Sequence, residues 1–212
     1  MQEFLEINSP VASAYANFKT KMIGEIRTVY LAILKSESSS IKQLRILWSE
    51  LDDTSCYLLS LALPELKDLK EVTLRDNLIG PPQFNKFKNS LSYCKHLQKL
   101  YICQNNLGDD GVASLSEVLR NLPNLQQLAL EDNAISDKGV ESLVKVLPQL
   151  ASLRVFWVHK NQITGKGLAK LSRALSNLEN FEEFYFDTRL ADKTIVDHIQ
   201  SQVPRVVLHQ DV

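Results

Sequence analysis

Residues 97–111, LQKLYICQNNLGDDG, decide the fold. Within them Leu97, Leu100, Ile102, Asn105, Leu107, Asp109 and Gly111 spell L-x-x-L-x-I-x-x-N-x-L-x-D-x-G. The pattern returns as Leu125, Leu128, Leu130, Asn133, Ile135, Asp137 and Gly139, and again as Leu153, Phe156, Val158, Asn161, Ile163, Gly165 and Gly167. With the first apolar residue of each unit as origin, the origins are Ile41, Leu69, Leu97, Leu125, Leu153 and Phe181, each 28 residues after the last. A fixed period of this size is the signature of a stacked repeat architecture.

The second half of each unit keeps the same step. Leu59, Phe87, Leu115, Leu143 and Leu171 share one column, and Leu63, Leu91, Leu119, Leu147 and Leu175 the next; Leu66, Cys94, Leu122, Leu150 and Leu178 form a third. Offsets of four and three residues put these side chains on one face of a helix. The opening L-x-x-L-x-L alternates as a short strand does. Each unit is therefore predicted to be strand, Asn-bearing turn, helix and return loop. One unit cannot bury its own apolar face, so neighbours stack and share a core. Repeated strands with a helix between them make a parallel sheet. A helix layer is about twice as wide as the roughly 4.8 Å strand spacing, so the stack curves with the strands on the inside. The expected fold is an α/β solenoid of about six repeats. The Asn column (Asn77, Asn105, Asn133, Asn161) is predicted to satisfy backbone groups in the turns, and the Gly column (Gly111, Gly139, Gly167) to allow a tight passage at the helix start.

The unit L-x-x-L-x-L-x-x-N-x-L-x-D-x-G, followed by three spaced leucines, resembles the ribonuclease-inhibitor-type leucine-rich repeats. Repeats of that style also form the C-terminal sensor region of NOD-like receptors, and the resemblance covers about residues 41–200. It implies a horseshoe that recognises a protein on its concave face. It also implies two finer roles: sensing a ligand or restraining a nucleotide-binding domain in an innate immune receptor, or inhibiting an enzyme. A bacterial effector that uses the same repeat is a further alternative. The motif specifies a fold far more tightly than a function.

Composition narrows the class. A 212-residue chain with 44% apolar residues suits one domain, and the unbroken period argues against two. A formal net charge of −1 gives no global basic field to draw in nucleic acid. No apolar run reaches the length of a membrane span. The opening MQEFLEINSP has two acids and no basic stretch, so it does not read as a secretory signal. Cys56, Cys94 and Cys103 are odd in number and lack C-x-x-C spacing, which argues against a disulfide framework or a zinc site. These features point to a cytoplasmic protein.

Residues 1–8 read as a loose tail. Ser9-Pro10 reads as a helix start, and Val11, Tyr15, Phe18, Met22, Ile26, Val29 and Ile33 give the stripe of an amphipathic helix. The expected organisation is thus a tail and capping helix over residues 1–40 and a repeat domain with a degenerate C-terminal cap over 41–212. The second repeat has Pro81-Pro82-Gln83 where others have Asp and Gly, so its helix is expected to start late, near Gln83 or Phe84. In the sixth, Arg189 stands in the Asn column and Leu190 and Asp192 come one place early; residues 194–200 could form a last helix.

Catalytic chemistry finds no support. His96, His159, His198 and His209 are scattered, and no H-E-x-x-H, G-x-S-x-G or phosphate-cradling loop occurs. No cofactor and no catalytic residue is expected. Glu131 and Asp132, near Asp187, could make a weak cation site, but a solvated acidic patch is the simpler reading. The informative positions alternate with the core leucines and line the predicted concave face. The central column reads Arg45, Thr73, Tyr101, Ala129, Trp157, Tyr185, an aromatic row interrupted by a small residue that would leave a recess. The next reads Leu47, Arg75, Cys103, Glu131, His159, Asp187, and the one beyond it Trp48, Asp76, Gln104, Asp132, Lys160, Thr188. Aromatics with a mixed-charge rim are what a protein interface uses. The candidate binding residues are Trp48, Arg75, Tyr101, Cys103, Glu131, Asp132, Trp157, His159, Tyr185 and Asp187. Cys103 is expected to be an exposed, mobile thiol. The expected partner is a protein, with self-association through the aromatic row as an alternative and neither nucleic acid nor membrane insertion expected.

Overall fold

Period becomes structure repeat by repeat in the computed structural model, which describes residues 4–8, 41–187, 191–203 and 205–209. The strands are β1 (Phe4–Asn8), β2 (Gln43–Leu47), β3 (Glu71–Arg75), β4 (Lys99–Tyr101), β5 (Gln127–Ala129), β6 (Val155–Trp157), β7 (Glu183–Asp187) and β8 (Arg205–His209). They form one parallel sheet in sequence order. The helices are α1 (Asp53–Ala62), α2 (Pro81–Leu91), α3 (Gly108–Leu119), α4 (Asp137–Val146), α5 (Gly165–Leu175) and α6 (Lys193–Gln202). From β2 to β7 every register step is 28 residues: Leu44 opposes Val72, then Leu100, Leu128, Phe156 and Phe184. The fold is a leucine-rich-repeat solenoid, with an open curved sheet and helices alternating with strands.

The core is one continuous seam. Leu100, Leu128, Phe156 and Phe184 are fully buried from the strands, and Phe87, Leu115, Leu143 and Leu171 from the helices. Phe156 and Phe184 stack with ring centroids 5.8 Å apart. Cys94 sits among the leucines of its column and its Sγ lies 3.7 Å from the Leu63 carbonyl.

The Asn column does what its chemistry allows. Asn161 Oδ1 accepts from the amides of Asn133 and Ile135, both at 3.0 Å, and Nδ2 donates to the carbonyls of Leu130 (2.9 Å) and Val158 (2.8 Å). Asn105 repeats this against Asn77 N, Ile79 N and Leu74 O. Each amide thus binds the backbone of the preceding repeat, where the chain leaves the sheet ladder and its polar groups would otherwise be buried unpaired. The Asp and Gly columns form a second tie between repeats. Asp109 accepts from Ser136 N (2.8 Å), Ser136 Oγ (2.7 Å) and Gly139 N (2.9 Å), so one repeat's carboxylate caps the next repeat's helix. A Cβ on Gly139 would lie 2.7 Å from Asp109 Oδ1. Asp137 makes the same tie to Thr164 N, 2.8 Å away, and crowds Gly167 in the same way.

Several expectations need correction. Phe4–Asn8 is not a loose tail: it adds a strand beside β2, with Glu6 in register with Arg45. Arg205–His209, left unassigned by the repeat pattern, adds another beside β7. Strand pairing needs only backbone, so these edges carry no leucine signature. Helix α2 starts at Pro81, not late, with Gly80 as its N-cap. Prolines in the first helical turn have no intrahelical N–H bond to lose and a φ already suited to the helix. The final helix runs Lys193–Gln202, capped by Asp192, which accepts from Ile195 N at 2.9 Å. The amphipathic segment within residues 9–40 and Arg189 lie outside the described residues.

Candidate functional site

The short strands bring residues 28 apart into one line on the inner face. Register pairs join Arg45 to Thr73, Thr73 to Tyr101, Tyr101 to Ala129, Ala129 to Trp157, and Trp157 to Tyr185. The aromatic row is therefore real, but the recess at Ala129 is not. Tyr101 and Trp157, two strands apart, lean together over it with ring centroids 5.5 Å apart and planes 23° from parallel. Ala129 is fully buried beneath them. Two strand spacings are about 9.6 Å, so only a residue as small as alanine leaves the rings room to meet. Trp157 also packs edge-on against Tyr185, at 5.4 Å.

Polar atoms of the row differ in how they are satisfied. The Tyr101 hydroxyl donates to Gln127 Oε1 and the Tyr185 hydroxyl to Glu183 Oε2 (2.7 Å). Burial, helped by the nearby Glu71 carboxylate, pushes the Tyr101 phenol up to about 12. Trp157 Nε1 is buried and has no acceptor among the described residues, and the same holds for Thr73 Oγ1. Buried donors without partners are uncommon in folded proteins.

The flanking column is a charge network more than a free rim. Glu131 contacts His159 Nε2 at 3.1 Å and Arg75 at 3.3 Å, and Arg75 also donates from Nε to Gln104. The hydrogen bond from His159 holds the Glu131 carboxyl below the usual range; burial opposes it, and the charges of His159, Arg75 and Lys160 support it. Asp187 is buried, and its Oδ2 accepts from Lys160 N at 2.7 Å. It serves the last repeat boundary where no Asn exists. Glu131 and Asp187 are thus held by cationic or amide donors, and among the described residues no group of three or more acidic, His or Cys side chains could hold a metal.

Cys103 corrects a second expectation. It is buried, not exposed, and burial, with Glu131 nearby, pushes its thiol up to about 12. The strand continues past Tyr101 as an irregular ladder, with Gln104 N bonding to Glu131 O, and Cys103 turns inside it. Trp48, Asp76, Gln104, Asp132 and Lys160 all have φ between 50° and 57°. Their column leaves the sheet in left-handed backbone, so its side chains fan out along the strand-exit edge and do not continue the concave alternation. Trp48 and Asp132 are exposed there. Sequence periodicity placed Thr73 in the central column but did not reveal Glu71 or Lys99 as part of the surface. Their signal was present, since Glu71 and Lys99 are in register two residues before the central column.

Among the described residues no helix is long and apolar enough to cross a membrane. Comparison with curated proteins gives no match. Among solved structures the chain is similar to the leiomodin-1 actin-binding site 2, with TM-score 0.53, 14% identity, and coverage of 61% of this chain and 80% of that one. It is also similar to internalin C2 from Listeria monocytogenes (TM-score 0.52, 20% identity, 81% and 72% covered). A third is the tropomodulin C-terminal domain from Caenorhabditis elegans (TM-score 0.50, 11% identity, 84% and 91% covered). At these identities the likeness concerns the fold alone. A family model, described as "FBD-associated F-box protein At5g56370, LRR repeats", matches residues 58–193. With the 28-residue register, the Asn ladder and that match, the chain belongs to this leucine-rich-repeat family.

Proposed function

We propose that the chain is a non-catalytic protein-recognition module whose partner lies on the concave face, anchored on Tyr101, Trp157 and Tyr185. The observation that carries this reading is the three-ring cluster with the buried Trp157 indole N–H, which has no acceptor among the described residues, at its centre. A stack of rigid aromatics loses little side-chain entropy on binding, and a partner carbonyl would give the indole its acceptor. Arg75, Glu131 and His159 form the polar border of this surface, and Trp48 and Asp132 extend it at the strand exits; Cys103 and Asp187 support it from beneath. The finer reading is a ligand-sensing or autoinhibitory repeat region of a NOD-like receptor, in the cytoplasm. The 28-residue ribonuclease-inhibitor-style unit with a helix in every repeat supports it.

The test is an affinity capture from cell lysate with wild type and a Tyr101→Ala/Trp157→Ala/Tyr185→Ala variant, both shown folded by circular dichroism. A protein held by the wild type and lost by the variant supports the concave-face reading. Equal capture by both moves the interface to the helical face.

A further inference from the structure

The concave face is uneven in charge, with three cations gathered in its first three repeats. In the first three repeats Arg45, Arg75 and Lys99 surround Thr73. Arg45 and Tyr101 flank Thr73 in register, Arg75 is two residues along the same strand, and Lys99 is the register partner of Glu71, two residues the other way. The carboxylates that pair with these cations lie beneath them. Arg45 contacts Glu71 at 2.9 Å, Lys99 approaches Glu71 at 4.0 Å, and Arg75 meets Glu131 at 3.3 Å. The side chains of Arg45, Lys99 and Arg75 are 37%, 40% and 43% exposed, whereas those of Glu71 and Glu131 are 7% and 16% exposed. An approaching ligand therefore meets cations first. In their midst Thr73 Oγ1 is buried with no hydrogen-bond partner among the described residues. The later repeats carry Glu183 on the same face and Asp132 beside it, which disfavour an anion there.

We infer that the concave face of repeats one to three binds an acidic segment of a protein partner, with a Glu or Asp carboxylate between Arg75 and Lys99 and against the Thr73 hydroxyl. The inference rests on the concave-face reading above and adds the chemistry of the partner. A carboxylate suits the site because a guanidinium offers it paired donors and the hydroxyl a third. The neighbouring Tyr101–Trp157 stack takes the apolar side chain next to it. Arg75 and Lys99 carry the test because their side chains are the more exposed of the three.

The experiment is a methyl NMR titration of the full chain with capped pentaglutamate at low salt. The comparison ligands are capped pentalysine, a capped alanine peptide with one phosphoserine, and a short thymidine strand. Expected are saturable shifts at the Thr73 methyl with pentaglutamate, none with pentalysine, and a Kd about tenfold weaker in Arg75→Gln/Lys99→Gln. A Trp157→Ala variant should keep the Thr73 response to pentaglutamate. An unmoved Thr73 methyl, or an equal Kd in the double variant, overturns the inference. So does a response only to the phosphoserine peptide, or a tighter response to thymidine. Loss of captured partner in the aromatic triple variant together with a silent Thr73 would refute the acidic segment and leave the concave-face reading standing; the opposite pattern would refute the aromatic anchor.

Discussion

Asn161→Ala tests the mechanism that holds one repeat on the next. The side chain is buried and bridges two repeats with five hydrogen bonds: two accepted, from Asn133 N and Ile135 N, and three donated, to Leu130, Val158 and His159 carbonyls. Truncation leaves two buried amides without acceptors, at about 1–3 kcal/mol each, so the expected loss is about 2–6 kcal/mol. That is a large share of the ~5–15 kcal/mol that stabilises a typical domain. Urea unfolding followed by circular dichroism measures the loss, with the exposed Gln162→Ala as a control expected to stay within about 0.5 kcal/mol. Asn161→Asp sharpens the test. It keeps the acceptors but loses the donors, and when ionised it sets a carboxylate against three carbonyl oxygens. It should therefore be more damaging at neutral pH than near pH 4, where a protonated carboxyl can donate again, with pH values chosen around the ordinary carboxylate pKa of about 3.9. A loss for Asn161→Ala below about 1 kcal/mol, or an Asp variant indifferent to pH, would refute the ladder as the interrepeat tie.

Three further outcomes follow from the geometry. Gly139→Ala puts a Cβ 2.7 Å from Asp109 Oδ1 and 2.8 Å from Ile135 Cγ2, and should cost about 1–3 kcal/mol in urea unfolding; Asp109→Ala should lessen that cost in a double-mutant cycle. Acid should weaken the fold through Glu131 and Asp109. For Glu131 the His159 hydrogen bond lowers the carboxyl pKa; for Asp109 burial raises it, but Ser136, Gly139 and Lys138 together outweigh burial. Both folded values lie below the ordinary 4.5 and 3.8, so their stabilisation is full above those values and is lost as pH falls through the depressed ones. Glu131→Gln should flatten the acid slope of the urea midpoint, and an unchanged slope would refute the contribution. Burial pushes the thiols of Cys56, Cys94 and Cys103 each up to about 12. All three should resist a thiol reagent at pH near 8 in native protein and react promptly in urea; rapid native labelling of Cys103 would place it outside the core.

Much of this was legible because the period couples local and tertiary structure. Leu100, Leu128 and Phe156 recur at 28 residues because strands in a solenoid pair in register, so a column in the sequence is a line in space. The same logic placed Tyr101, Trp157 and Tyr185 in one row. It failed where side chains cross columns. Ala129 read as a gap, but its neighbours are long enough to close over it. Cys103 read as exposed by alternation, but the strand becomes irregular after Tyr101, and left-handed backbone at Gln104 breaks the two-residue period.

By itself the sequence determined the solenoid, the helix and strand of every central repeat, and the Asn and Gly columns, because each repeats a local hydrophobic or hydrogen-bonding requirement at a fixed spacing. Only the tertiary structure decided which polar groups of the concave face stand outside and which lie beneath. That Arg75 and Lys99 stand outside while Glu71 and Glu131 lie beneath depends on side-chain packing between strands. So do the buried Thr73 hydroxyl and Trp157 indole, which have no partner among the described residues. The edge strands β1 and β8 were likewise a tertiary matter, since backbone pairing against an existing sheet asks for no particular side chain.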